Sequence, residues 1–75
     1  MVAMGRAFRL CRDRKGLRQE DVAALAGMHR TDISDIEKGK RDIGLKVARR
    51  LSLALGVPLS EVVQQAEREP EAQEP

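Results

Sequence analysis

The sequence predicts an all-α fold of five short helices in one small domain, and three observations lead there. Apolar residues recur at three- to four-residue spacing in successive segments: Phe8 and Cys11, then Val22, Ala23 and Ala26, then Ile33 and Ile36, then Leu45, Ala48, Leu51 and Leu55. That is the spacing of one helix face. A glycine closes each segment, at Gly16, Gly27, Gly39 and Gly56, where a residue in the left-handed conformation ends a helix without a Cβ clash. Finally, 75 residues allow one folding unit with a thin core, and with Phe8 as the sole aromatic that core is aliphatic.

In chain order, residues 1 to 4 are expected to fray, and helix 1 runs from about Gly5 to Lys15 with Phe8 and Cys11 inward and Arg6, Arg9 and Arg12 giving it a basic character. Leu17 plugs the gap before helix 2, which begins near Arg18 or Gln19; Gln19, Glu20 and Asp21 suit its electropositive first turn. Arg18 offers no side-chain cap. Gly27 makes the turn and Met28 follows as a buried plug. Helix 3 then turns Ile33 and Ile36 inward and Arg30, Thr31, Ser34 and Asp35 outward, with His29 as a mediocre cap in front of it. After Gly39 a loop carrying Lys40 and Arg41 leads to helix 4, Leu45 to Leu55, with Leu45, Ala48, Leu51 and Leu55 inward. Pro58 fits the first turn of helix 5, which ends near Glu67. Residues 70–75 are acidic and apolar-poor, so they are expected to be a disordered tail behind a domain of residues 1–69.

Helices 2 and 3 are each about eight residues long and are marginal without tertiary packing, so they must lie across one another. A short helix, a glycine turn and a second helix with a polar outer face is the sequence form of the helix-turn-helix. Gly16, Leu17, Gln19, Glu20, Val22, Ala23, Gly27, Ile33, Ile36, Glu37, Gly39 and Lys40, followed by Leu45, Leu51, Ala54, Leu55, Gly56 and Val57, resemble the λ-repressor/Cro-like (Xre-type) DNA-binding family over roughly residues 5 to 69. Within that family, residues 29–45 are most similar to controller proteins of restriction-modification systems.

The resemblance implies a transcriptional regulator that reads duplex DNA with the outer face of helix 3. Residues near the start of a recognition helix reach base edges, which nominates Arg30, Thr31 and Asp35: Arg30 for guanine O6 and N7, Thr31 for a thymine methyl or a phosphate, Asp35 for cytosine N4. Arg18, Gln19, Lys38, Lys40 and Arg41 are the expected phosphate contacts, Gln19 by resemblance to the family. Carboxylates at Asp32 and Asp35 depart from a purely basic reading face; one of them is expected to hold Arg30 or to exclude wrong bases. In related domains the residues matching Arg12 and Glu37 form a partly buried ion pair, and the same structural role is assigned here.

Charge is uneven. Residues 1 to 58 carry a balance of +6 and residues 59 to 75 one of −4, so the basic charge belongs to the helix-turn-helix part and suits a polyanionic partner. With no aromatic cluster to stack unpaired bases, duplex DNA is the better target. Cys11, the only cysteine, cannot form an internal disulfide, in keeping with the cytoplasm; it reads as a small core hydrophobe rather than a redox sensor. No signal peptide, membrane span, cofactor or small-molecule ligand is expected. The lone His29 has no partners for a metal site, and no nucleophile, phosphate loop or metal cluster argues for an enzyme. The rival reading is an antitoxin or adaptor that uses the same fold to bind a protein.

Leu25, Leu53, Leu59, Val62 and Val63 exceed what one small core needs. Leu53, Leu59, Val62 and Val63 are therefore the expected interface of a symmetric homodimer, whose two-fold axis would match a palindromic operator.

Overall fold

A computed structural model describes residues 2–68, leaving out the side chain of Val2. Five helices follow one another: α1 (Val2–Arg14), α2 (Gln19–Ala26), α3 (Arg30–Glu37), α4 (Leu45–Leu55) and α5 (Leu59–Glu67). No strand occurs among the described residues. The all-α expectation holds, as does the helix-turn-helix placed on α2 and α3. Residues 70–75, the expected disordered tail, lie outside the described residues.

Helix boundaries follow local chemistry. At the end of α2, Gly27 adopts φ 68° and ψ 38°, and the N–H of Met28 reaches back to the Ala23 carbonyl at 2.9 Å. This closure satisfies carbonyls that the helix leaves open. Equivalent backward bonds end α3 (Lys40 N–H to Asp35 O, 2.9 Å) and α4 (Val57 N–H to Ser52 O, 3.1 Å).

The core is one cluster in which Phe8 and Cys11 of α1, Val22 and Ala26 of α2, Ile33 and Ile36 of α3, Leu51 and Leu55 of α4 and Val62 of α5 meet. Helix α1 packs chiefly on α5 and also on α3, while α2 packs on α3 and α4. A short α3 is thereby held from two sides, which supplies the packing that its length requires. Cys11 lies in this cluster, and burial pushes its thiol pKa up.

Several expectations need correction. Helix α1 starts at Val2 rather than Gly5, because Ala3 and Met4 pack against the core and order the first turn. Leu45 does not point inward; it is 76% exposed, since the buried stripe of α4 is Ala48, Leu51, Ser52 and Leu55 and the first turn reaches past it. Ser52 is tolerated in that stripe because its hydroxyl donates to the Arg49 carbonyl at 2.9 Å. Met28 is only partly buried, and Pro58 is the N-cap of α5 rather than part of its first turn. Val62 is fully buried, at 0% exposure, and cannot belong to a surface between two chains: with Ala66 it forms the inward stripe of α5.

One contact had a sequence signal that went unread. A Cβ placed on Gly5 would run into the backbone carbonyl oxygen of Ile36 and lie 3.0 Å from that of Glu37. Glycine inside a helix costs about 1 kcal/mol relative to alanine, and here it permits α1 to touch the backbone at the end of α3. A glycine within a helical pattern was the available clue.

Candidate nucleic-acid interface

The N-terminal ends of α2 and α3 are built alike. Neither Arg18 nor His29 caps its helix with a side chain; a guanidinium has no acceptor to offer. Each backbone N–H is instead satisfied by an aspartate three residues on: Arg18 N–H donates to Asp21 Oδ2 at 2.8 Å, and His29 N–H donates to Asp32 Oδ2 at 3.1 Å. This is half of a capping box, and a negative side chain in a first turn also suits the helix dipole. The backbone bond from Arg18, joined by its guanidinium, holds the Asp21 carboxyl below its ordinary value. The Asp three residues after each cap position was the legible sign.

Arg30 and Thr31 stand exposed at the start of α3, with Asp35 half-buried one turn on. Lys38, Lys40 and Arg41 are exposed just beyond its end. Arg41 returns to the start of the helix, where its Nη1 donates to Asp32 Oδ1 at 2.7 Å. Asp32 thus ties the loop after α3 to the first turn of α3 and fixes Arg41; Arg30 is held elsewhere. Arg18 is exposed and folds onto Asp21, its Nε 3.3 Å from Oδ2.

Arg12 and Glu37 meet end to end. Arg12 Nε lies 2.7 Å from Glu37 Oε2 and Nη2 lies 2.9 Å from Oε1, a two-bond fork, while Nη1 donates to the Leu17 carbonyl at 2.9 Å. The side chains are 12% and 5% exposed. The Glu37 bond raises the Arg12 pKa further above its ordinary value. From Glu37 the chain of contacts continues outward: Gln19 Nε2 donates to Glu37 Oε1 at 3.1 Å, and Arg30 Nη1 donates to Gln19 Oε1 at 3.3 Å.

Leu53 (71% exposed) and Val63 (38%) lie on the surface, whereas Leu59 is partly buried against the core. Leu45, Leu59 and Val63, with Met4, Ile43 and Ala48, border an apolar groove of about 200 Å³ between α1, α4 and α5. Among the described residues no group of His, Cys, Asp and Glu is arranged to hold a metal, and no helix is long and apolar enough to cross a membrane.

A pair of short helices packed on each other and joined at Gly27, with a polar face on the second, defines a helix-turn-helix protein, and the helix-turn-helix family model HTH_3 matches residues 8–62. The chain belongs to that family, in its Xre-like branch of DNA-binding regulators. It is 38% identical over 61 residues to the control protein C.MunI of a Mycoplasma species, covering 81% of this chain and 82% of that one. It is 43% identical over 44 residues to the control protein C.BamHI of Bacillus amyloliquefaciens, covering 59% and 54%. Among solved structures, the restriction-modification controller protein C.AhdI of Aeromonas hydrophila superposes with a TM-score of 0.78 at 34% identity, over 81% of this chain and 92% of that one. The clp gene regulator ClgR of C. glutamicum superposes with a TM-score of 0.87 at 24% identity, covering 88% of this chain and 86% of that one, and shares the fold.

Proposed function

We propose that this chain is a sequence-specific, double-stranded DNA-binding transcriptional regulator of the restriction-modification control type, acting in the cytoplasm as a homodimer on a palindromic operator, with residues 1–69 as its DNA-binding unit. The observation that carries the reading is the outer face of α3: exposed Arg30 and Thr31 beside Asp35, flanked by exposed Lys38, Lys40 and Arg41, on a scaffold whose relatives are control proteins. Arg30, Thr31 and Asp35 take the base edges, and Arg18, Gln19, Lys38, Lys40 and Arg41 take the phosphates.

The homodimer rests on exposed aliphatics. Leu53 and Val63, with the outer edge of Leu59, form the proposed interface, Val62 being withdrawn to the core, and exposed Leu45 extends it. Exposed apolar side chains support an association surface, and two recognition helices related by a two-fold axis would enter major grooves about 34 Å apart.

Selection of bound sites from a random duplex library, followed by a salt titration, tests the proposal. An inverted repeat and a steep fall of affinity with salt are expected. Binding that barely responds to salt, with no enriched sequence, would favour the protein-binding antitoxin or adaptor instead.

A further inference from the structure

We propose that Gly5 is a positioning residue for base readout: by letting the α1 backbone lie against the last carbonyls of α3, it sets the tilt of that helix and so which base edges its far half can reach. The inference rests on the assignment of Arg30 and Asp35 to base edges made above. Its basis is the approach of Gly5 to the carbonyl oxygens of Ile36 and Glu37, taken together with the bonds that hold the other end of α3.

The two ends of α3 are fixed by different means. Its start is held by side-chain bonds, from His29 N–H and Arg41 to Asp32 and from Arg30 to Gln19. Its end rests on α1, through the Arg12–Glu37 fork and through Gly5. Side chains in a fork can follow a small movement; two stacked backbones cannot. A Cβ on Gly5 would run into the Ile36 oxygen and lie 3.0 Å from that of Glu37, and a helix carbonyl has no rotamer by which to swing aside. Alanine is the better helix former, so local preference runs against this glycine and the close approach is what requires it. To admit a Cβ, the last turn of α3 would have to retreat by roughly an ångström to regain ordinary van der Waals distance.

Because the start of α3 is tied, that retreat is a tilt. Each residue adds about 1.5 Å of rise, so Asp35, near the end of Arg30–Glu37, takes most of the shift, while Arg30 at the pivot takes almost none. Recognition geometry tolerates a displacement of about 0.5 Å. Gly5→Ala should therefore spoil readout by the far half of α3 and spare the near half. A loss of stability alone has a different signature: it lowers affinity for every duplex by the same factor and leaves the ratios between duplexes unchanged.

The test uses duplexes recovered from the random library and their single-base-pair variants. Asp35→Ala and Arg30→Ala identify the base pair that each residue reads. Gly5→Ala is expected to lower discrimination at the Asp35 base pair by about three- to ten-fold, and at the Arg30 base pair by less than about two-fold. Both are measured with duplex in excess, where binding favours the folded form. Unchanged ratios at both base pairs, a loss at the Arg30 base pair as large as at the other, or a variant that stays unfolded even on excess duplex would make Gly5 a packing glycine and overturn the inference. If either alanine variant relaxes no base pair, the assignment of that residue as a reader falls first and the inference falls with it.

Discussion

Two surfaces of the molecule are finished in opposite ways. Where α2 and α3 begin, polar groups are joined to one another: aspartates cap both helices, Asp32 holds Arg41, and a line of bonds runs from Arg30 back to a buried ion pair. Along α4 and α5 the surface instead shows exposed Leu53, and Leu45 and Val63 beside an apolar groove. Hydrogen bonds have direction, so the first surface can hold side chains at fixed angles, as discrimination between base pairs needs. Burial of aliphatic surface has no direction and scales with area, which suits association. Fixed geometry marks the first surface, exposed apolar area the second.

That division can be broken at several points. The largest expected effect is at the root of the polar line. Glu37→Ala leaves Arg12, 12% exposed, without its carboxylate, and an unpartnered buried charge costs about 3 to 5 kcal/mol. For a domain of this size each kcal/mol moves Tm by roughly 4 to 8 °C, so thermal unfolding should shift down by well over 10 °C. An unchanged Tm would show that the pair does not hold α1 to α3.

Next comes the apolar end. Leu53→Asp alters a residue 71% exposed in the single chain, so folding should be spared, whereas Leu59 is partly buried and a charge there would test the core as well. Burying one such side chain contributes about 1.5 to 3 kcal/mol, and the charge adds a desolvation cost. Sedimentation should show a monomer, and operator affinity should fall with no DNA-facing residue changed. A variant that still dimerises places the interface elsewhere.

Arg30→Ala should cost about 1 to 3 kcal/mol on the selected operator and much less on random duplex, the mark of a base-reading side chain. Equal losses on both would move Arg30 to the phosphate class.

The smallest effect concerns the cap of α2. The Asp21 carboxyl is lowered in the folded state, first by the Arg18 backbone N–H and then by its guanidinium. Its contribution to stability is therefore present above the unfolded-state value, about 3.9, and is lost as pH falls through the lower folded-state value. The Tm of wild type and Asp21→Ala should differ at pH 7 and converge as pH falls below the lowered folded-state value. A constant difference down the whole range would remove the carboxylate from the account.

Much of this was legible in the residues. Gly27 and Gly56 gave two helix ends, because a left-handed residue has few alternatives, and Ile33 and Ile36 gave the inward face of α3. Spacing failed where tertiary position decides. Leu45 continues the stripe of α4 yet stays 76% exposed at the rim of a groove, and Val62 and Val63 are adjacent in sequence but part company between core and surface. The identity of Arg41's partner was beyond reach for a related reason: Arg41 follows the end of α3, and only folding of the loop brings it back to Asp32.

That ion pair also bears on how quickly an operator would be found. A genome offers on the order of a million or more competing sites, and each phosphate-binding cation lengthens the stay on every one of them. If Arg41 takes a phosphate on the operator, an aspartate that occupies it elsewhere would withhold one cation from indiscriminate contact, and the protein would be expected to leave wrong sites sooner. Asp32→Asn, which retains an oxygen for the His29 N–H and surrenders the charge, should lengthen dwell times on random duplex in single-molecule tracking and slow arrival at the operator among excess genomic DNA; unaltered dwell times would show Arg41 to be engaged with phosphate already.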